Sequence, residues 1–417
     1  MKFVNYVRNP IRDSPINTAF ARVFLAFYFF WKTVWYDWRQ LYDIPLVLYE
    51  GYAVLIPPSP TIMVAEKYLL LITLTAFAVG YRLRLSSLVS AVIVGHMGVV
   101  RYVYNTSGGT TALFIGMYML VFFGLYRHRD RLSVDAIRSA GSGSPASLVD
   151  RLTGSVSDSF RADALRWSLL VVGIIYFGSG FAKVVNGPVA WVAPENLSRT
   201  LLLFDSFMPG SNPLAEPLLG YPVLVTLAAI GTLVLELGLL ITLLAGVGVT
   251  TVVLGLYGFH VGIWLSLDIV FFDSIMFLGL FFSWDRVYAA LASDRELTLV
   301  FDEHCLFCAR SLLPFKLLDV NERITFHTQS TVPERYRELD DVDFENAMYV
   351  FDEDDRPYAG YHAFRELLRQ SKLFAPLVFL TGLSPVSRVG TRVYRYIADN
   401  RSQHFACAFN QQNELES

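Results

Sequence analysis

Cysteine and charge are both scarce in this chain. Three cysteines in 417 residues cannot build a disulfide-stapled exterior, and such sparing use suits a reducing compartment. Charged residues make up only 17% of the chain against 54% hydrophobic ones, more apolar material than a soluble domain of this size can bury. The net charge is −3 and no basic stretch is interleaved with aromatics, which leaves no footprint for nucleic acid. The basic N-terminus leads into an apolar run with no small-residue cleavage site after it, so that run reads as a first span and not as a removable signal. No internal repeat is visible.

What the chain does have is apolar sequence gathered at 14–126 and 164–284, followed by an ordinary soluble composition over 285–417. Windows long enough to cross a bilayer predict about eight spans: Asn17–Tyr36, Ile62–Tyr81, Leu85–Tyr104, Thr111–Tyr126, Ala164–Val185, Pro222–Ala245, Val249–Ser266 and Ile269–Trp284. Glycine and aromatic residues within them suit packed helices. The loops Asp37–Thr61 and Asn186–Tyr221 are apolar enough to lie on or fold back into the membrane surface. Basic residues collect on one side, at Lys2, Arg8 and Arg12, at Arg82 and Arg84, from Arg127 to Arg161, and at Arg286 and Arg295. The other side holds only Arg39 and Arg199, an asymmetry that places both termini in the cytoplasm of a multi-pass cell-membrane protein. Ser139–Pro145 reads as a flexible inner linker dividing the spans four and four.

Ionisable residues inside spans are costly and point to function or to a partner. They are Lys32, Glu66, Lys67, His96, Arg101, Lys183, Glu236, His260, Asp268 and Asp273. Lys32, Lys67, Arg101 and Asp268 lie near span ends, where they can reach water. Glu236 sits mid-span and needs a partner or a proton. His260 fits either a satisfied core histidine or a site residue. Lys183 either pairs with Glu236 or serves as a base or ligand contact.

The densest signal is Asp302-Glu-His-Cys305-Leu-Phe-Cys308, between a strand-like run, Leu297–Phe301, and a helix-like run, Ala309–Leu318. Cys-x-x-Cys between a strand and a helix N-terminus is the layout of a thiol–disulfide site. The helix end favours the Cys305 thiolate, and Cys308, one turn on, can close the disulfide. Half of a zinc site is the other reading, with Cys407, His304 and His404 as loose additional ligands, although a structural site needs four. We expect no metal. Asp302 orients the site or takes a proton from Cys308, or else simply caps the helix. Cys407, in the polar tail, reads as an unpaired thiol.

Two resemblances follow from these residues. Gly180, Lys183, Trp191, Glu236 and His260, in that order over roughly 14–284, resemble the HTTM domain, the transmembrane unit shared with vitamin K-dependent gamma-glutamyl carboxylase. That resemblance implies a base role for Lys183, ligand contacts at Trp191 and Glu236, and a quinone or vitamin K-like quinol as cofactor. The chain differs at Tyr104-Asn-Thr-Ser-Gly-Gly109, where the family carries a histidine, and it has no large extracytoplasmic domain. Residues 297–401 resemble the DCC family of thiol–disulfide oxidoreductases through Asp302, Cys305 and Cys308, a hairpin over Phe344–Gly360 and a helix over Tyr361–Leu368. The implied fold is thioredoxin-like, with Cys305 as the attacking thiolate nearer solvent and Cys308 resolving. The proline that thioredoxins place before their third strand is absent from Asn346-Ala-Met-Tyr349.

The expected architecture is therefore a polytopic all-α membrane bundle (1–284), a linker (285–296), a thioredoxin-like α/β cytosolic domain (297–401) and a polar tail (402–417). The expected function is an integral membrane thiol–disulfide oxidoreductase acting on a cytosolic thiol protein or small thiol. Its bundle would hold a quinone-like or lipid ligand. The alternatives are a carboxylase-like membrane enzyme using Lys183 as base and a redox-gated binding or transport module.

Overall fold

A computed structural model describes residues 14–35, 60–104, 110–126, 132–140, 145–154, 162–207, 212–339, 342–344 and 346–400. The apolar half is helical. It runs through α1 (Pro15–Trp35), α2 (Pro60–Val79), α3 (Leu83–Tyr104), α4 (Thr110–Leu125), α5 (Val134–Ala140), α6 (Pro145–Thr153) and α7 (Asp163–Val185). It continues through α8 (Pro188–Val192), α9 (Pro194–Phe207), α10 (Ala215–Leu219), α11 (Pro222–Ala245), α12 (Val249–Leu267), α13 (Phe272–Leu278) and α14 (Trp284–Leu291). Local chemistry sets the ends. Pro222, whose missing N–H would be unsatisfied there anyway, opens α11, and Gly246, at φ 66°, supplies the left-handed residue that closes it.

Five of these helices, α2, α3, α7, α11 and α12, are long and apolar enough to cross a membrane. The other three expected spans take different forms. Helix α1 has the length, but Asn17, Thr18, Arg22 and Lys32 dilute its apolar character. Helix α4 is a short apolar helix of 16 residues. The stretch Ile269–Trp284 breaks after Phe281, where the chain turns by 72° into α14. That turn also makes the first part of the expected linker helical, as far as Leu291. It is fixed by Trp284, whose ring stacks on Phe20 at 4.0 Å, and by the Asp285 N–H donating to Asn17 Oδ1 at 2.9 Å. Of the two expected membrane-surface loops, Asn186–Tyr221 forms α8, α9 and α10, with 208–211 outside the described residues, as is 36–59 in the other.

Arg22, absent from the expected set of buried charges, is a fixed point of the bundle. It is 2% exposed. Its guanidinium donates to the Phe77 and Ala78 carbonyls at the end of α2 and to Leu132 O at 2.8 Å. A helix C-terminus leaves carbonyls without partners, and an arginine supplies donors in a fixed fork.

The soluble half is a four-stranded mixed sheet in the order β2-β1-β3-β4. Strand β1 (Leu297–Phe301) pairs in parallel with β2 (Ile324–Thr328) across α15 (Leu306–Leu318), Leu299 opposite Phe326. After α16 (Glu334–Arg337), β3 (Tyr349–Phe351) runs antiparallel to β1, and β4 (Pro357–Ala359) antiparallel to β3. Helices α17 (Tyr361–Leu368), α18 (Ala375–Gly382) and α19 (Ser384–Asp399) complete the described chain.

The division at 284 does not separate the packing. Leu148 and Leu152 of α6 are fully buried in one core with Leu299 and Phe301 of β1, Leu312 of α15 and Phe326 of β2. The expected flexible linker lies between α5 and α6, with 141–144 outside the described residues, and both flanking helices contact α15.

Candidate redox site and an intramembrane polar cluster

Leaving β1, the chain turns at Asp302, whose Oδ1 accepts the His304 N–H at 2.9 Å and whose carbonyl accepts the Cys305 N–H at 3.2 Å. Asp302 thus shapes the turn, and the residue in the helix N-cap position is Cys305 itself. Its Sγ accepts the Cys308 N–H at 3.3 Å, and the two sulfurs lie 2.6 Å apart. No disulfide joins them in this structure. The expected order of exposure is reversed, because Cys305 is buried and Cys308 half-buried. The cap explains this. It folds the Cys305 side chain back over the first turn, against the Cys308 amide, while Cys308, the third residue of the helix, is only partly covered. The helix end and the N–H donor favour a thiolate at Cys305.

Among the described residues no group of three or more His, Cys, Asp or Glu side chains is placed to hold a metal ion. The other loose zinc ligands, His404 and Cys407, lie outside the described residues.

The bundle brings the expected residues on α7, α8 and α11 together. Lys183 Nζ donates to Glu236 Oε2 at 2.6 Å, to Oε1 at 2.7 Å and to Ser179 Oγ at 2.9 Å, and it lies 5.0 Å from the centre of the Trp191 ring. The side chains of Lys183 and Glu236 are 18% and 7% exposed. The approach depends on Gly180, where a Cβ would come within 3.0 Å of both Glu236 Cβ and Leu237 Cγ. His260 lies beside this pair and not on it. Its Nε2 shares a 2.6 Å hydrogen bond with the Tyr176 hydroxyl, which lies close enough to Glu236 for the two to interact. Two buried polar atoms here have no hydrogen-bond partner among the described residues, Trp191 Nε1 and His260 Nδ1.

Ser179 and Tyr176 escaped the sequence reading, although they sit four and seven residues before Lys183 and so share its helix face. A second cluster was missed as a cluster. Lys32 Nζ reaches Asp273 Oδ1 at 2.5 Å, and the Tyr28 hydroxyl donates to the same oxygen at 2.6 Å. Lys32 is thus paired instead of reaching for water, and Lys67 bonds to Val34 O at 3.3 Å. Glu66 and His96 form a third contact at 3.1 Å.

Residues 299–407 match the model of the DCC1-like thiol-disulfide oxidoreductase family. Neither a curated protein nor a solved structure matches the chain. The C-terminal part is therefore a DCC1-like thiol–disulfide oxidoreductase domain, joined to a mostly helical apolar region.

Proposed function

We propose that this chain is an integral membrane thiol–disulfide oxidoreductase whose Cys305–Cys308 pair exchanges electrons with a cytosolic thiol protein or small thiol. The observation that carries the reading is the pair itself, two sulfurs 2.6 Å apart with Cys305 in the N-cap position and a helix amide on its Sγ. The parallel β1-α15-β2 crossover flanked by antiparallel β3 and β4 supports a thioredoxin-like fold for the domain.

The geometry divides the labour. In the oxidising direction a partner thiolate attacks Cys308 Sγ, the more exposed sulfur, and the Cys305–Cys308 bond breaks. Cys305 departs as the thiolate that the helix end stabilises, and a better-stabilised thiolate leaves faster. A second partner thiol then displaces Cys308, so two electrons reach the pair and the partner leaves as a disulfide. Run in reverse, Cys308 attacks the partner's disulfide and Cys305 resolves the mixed disulfide. The test is a thiol-exchange assay on a model dithiol with the full chain. Cys308→Ser should abolish turnover and fail to trap a partner, whereas Cys305→Ser should abolish turnover and accumulate a mixed disulfide through Cys308. Undiminished turnover in either variant would refute the assignment.

A ligand in the bundle is the second part of the reading. Trp191 Nε1 and His260 Nδ1, buried and unpartnered beside Lys183 and Glu236, fit a molecule with a hydrogen-bonding head and an apolar body, such as a quinone or a lipid. A quinone would supply two-electron redox chemistry there. The carboxylase-like alternative asks Lys183 to act as a base, yet its ammonium donors are directed at Glu236 and Ser179, so that role requires the pair to open first.

A further inference from the structure

The last two helices end the described chain with an apolar surface that no described residue covers. Helix α18 reads Ala-Pro-Leu-Val-Phe-Leu-Thr-Gly and buries none of its residues. Leu377, Phe379 and Leu380 stand open to the outside, Phe379 by 69%. The chain then turns by 90° into α19. Gly390 and Tyr394 of α19 hold it to the domain. A Cβ at Gly390 would strike the Tyr361 ring at 2.2 Å, and the Tyr394 hydroxyl accepts the Met348 N–H at 3.2 Å. A separate stripe, Val386, Val389, Val393 and Tyr396, runs about a quarter turn round the helix from those anchors and is exposed. Arg388, Arg392 and Arg395 occupy another flank, and among the described residues no carboxylate pairs with them.

Position decides what meets this surface. Just before α18, Phe374 packs edge-on to Tyr288 of α14, and Ser371 forms a bridge to Ala292. Helix α14 itself caps the bundle beside the start of α1, where Trp284 stacks on Phe20. The exposed apolar helix therefore starts at the end of the bundle where α1 begins. The charge-asymmetry reading puts that end at the cytoplasmic leaflet.

We infer that α18 and α19 form a membrane-surface element docking the thiol domain on the anionic cytoplasmic leaflet, an inference that rests on the reading of the bundle as membrane-spanning. Eight residues of α18 reach about 12 Å, too short to span a hydrocarbon core of about 30 Å but suited to its boundary. Helix α19 lies in the interface plane, its Val/Tyr stripe among the acyl chains. Its arginines keep their heads at the phosphates, as basic amphipathic helices do. Lys372 and three arginines against the single acid Asp399 give residues 372–399 the sign that anionic lipid attracts. The consequence is a thiol pair held near the bilayer surface, within reach of membrane-bound as well as soluble partners.

The test is photo-crosslinking of the full chain in nanodiscs of phosphatidylcholine, with and without phosphatidylglycerol, doped with a phospholipid carrying a diazirine on its acyl chain. Labelled peptides are mapped by mass spectrometry. The expected result is labelling of 375–383 and 384–396 alongside α2, α7 and α11. Labelling of 384–396 should rise at least twofold with phosphatidylglycerol, a rise lost in the Arg388→Gln/Arg392→Gln/Arg395→Gln variant. Labelling of the spans with none at 375–396 overturns the docking and leaves the membrane reading intact. That result would assign the surface to a second copy or a protein partner. No label on α2, α7 and α11 overturns both. The wild-type map alone decides the matter should the triple variant fold poorly.

Discussion

At the scale of single residues, the two cysteines divide access from activation. Cys305 has the helix end and the amide, while Cys308 has the exposure. A bulky maleimide should therefore modify Cys308 before Cys305 in the reduced full chain, as read by peptide mapping of a timed reaction. Faster labelling of Cys305 would mean that the cap opens in solution. Asp352 is a second residue whose environment has a measurable consequence. Burial pushes its carboxyl up, but the Arg356 N–H, the Tyr358 hydroxyl and the Asp354 N–H outweigh that and hold it below the usual carboxylate range. A carboxyl depressed in the folded state contributes stability that is present above its unfolded value, about 4, and is lost as pH falls through the folded value. Asp352→Asn should lower the melting temperature of the thiol domain at pH 7 and leave less difference between mutant and wild type below about pH 3. A constant difference across that range would remove the carboxylate from the explanation.

At the scale of elements, the contacts that matter join segments far apart in the chain. Helices α7 and α11 meet through the Lys183–Glu236 pair, and a buried pair left broken costs about 3–5 kcal/mol. Lys183→Ala should therefore reduce the folded yield, and adding Glu236→Ala should restore much of it, measured by size-exclusion of detergent-solubilised protein. Equal yield for all three proteins would make the pair a ligand contact without a packing role. Helix α6 is the other joint. Leu152 is wholly buried in the core of the thiol domain, and truncating such a leucine typically costs about 2–5 kcal/mol. Leu152→Ala should lower the unfolding midpoint of the thiol domain, although the residue lies 145 positions before β1. An unchanged midpoint would mean that α6 docks without contributing stability.

The same elements show what the sequence disclosed. The strand, the cap and the helix around Cys305 were legible because they are local, and so was the hairpin of β3 and β4 followed by α17. Lys183 and Glu236 were legible because a charge in apolar sequence announces itself, whereas Trp191 entered only through the resemblance to the HTTM pattern. Arg22 was not, because its carbonyl partners come from the far end of α2 and from Leu132, and no local pattern records them. Nor was the insertion of α6 into the thiol-domain core, since Leu148 and Leu152 lie in a short amphipathic helix about 145 residues before the core that they enter. The reversed exposure of the cysteines goes with the N-cap position of Cys305, whose Sγ accepts the Cys308 N–H. The kink after Phe281 depends on the stacking of Trp284 against Phe20, a contact across the whole bundle.

At the scale of the whole molecule, the redox helix and the bundle are mechanically joined. Helix α15, which carries Cys308, packs on α5 and α6, which lie between α4 and α7 in the sequence. A change at the thiol pair thus has a packed route through α5 to the turn between α2 and α3, where the Asp135 carboxylate accepts the Arg82 and Leu83 N–H groups. The central claim is that Cys305 and Cys308 form a reversible disulfide in the intact chain, and a thiol-trapping redox titration tests it most directly. Membranes containing the full chain are equilibrated over a series of reduced-to-oxidised dithiothreitol ratios, quenched in acid, and tagged with a mass-shifting maleimide. Mapping then assigns the tagged thiols. The account predicts a single two-electron transition in which Cys305 and Cys308 gain or lose their tags together, a transition absent in Cys305→Ser and Cys308→Ser. Two thiols that stay tagged across the whole range, or that become available only when a chelator removes bound zinc, would contradict it.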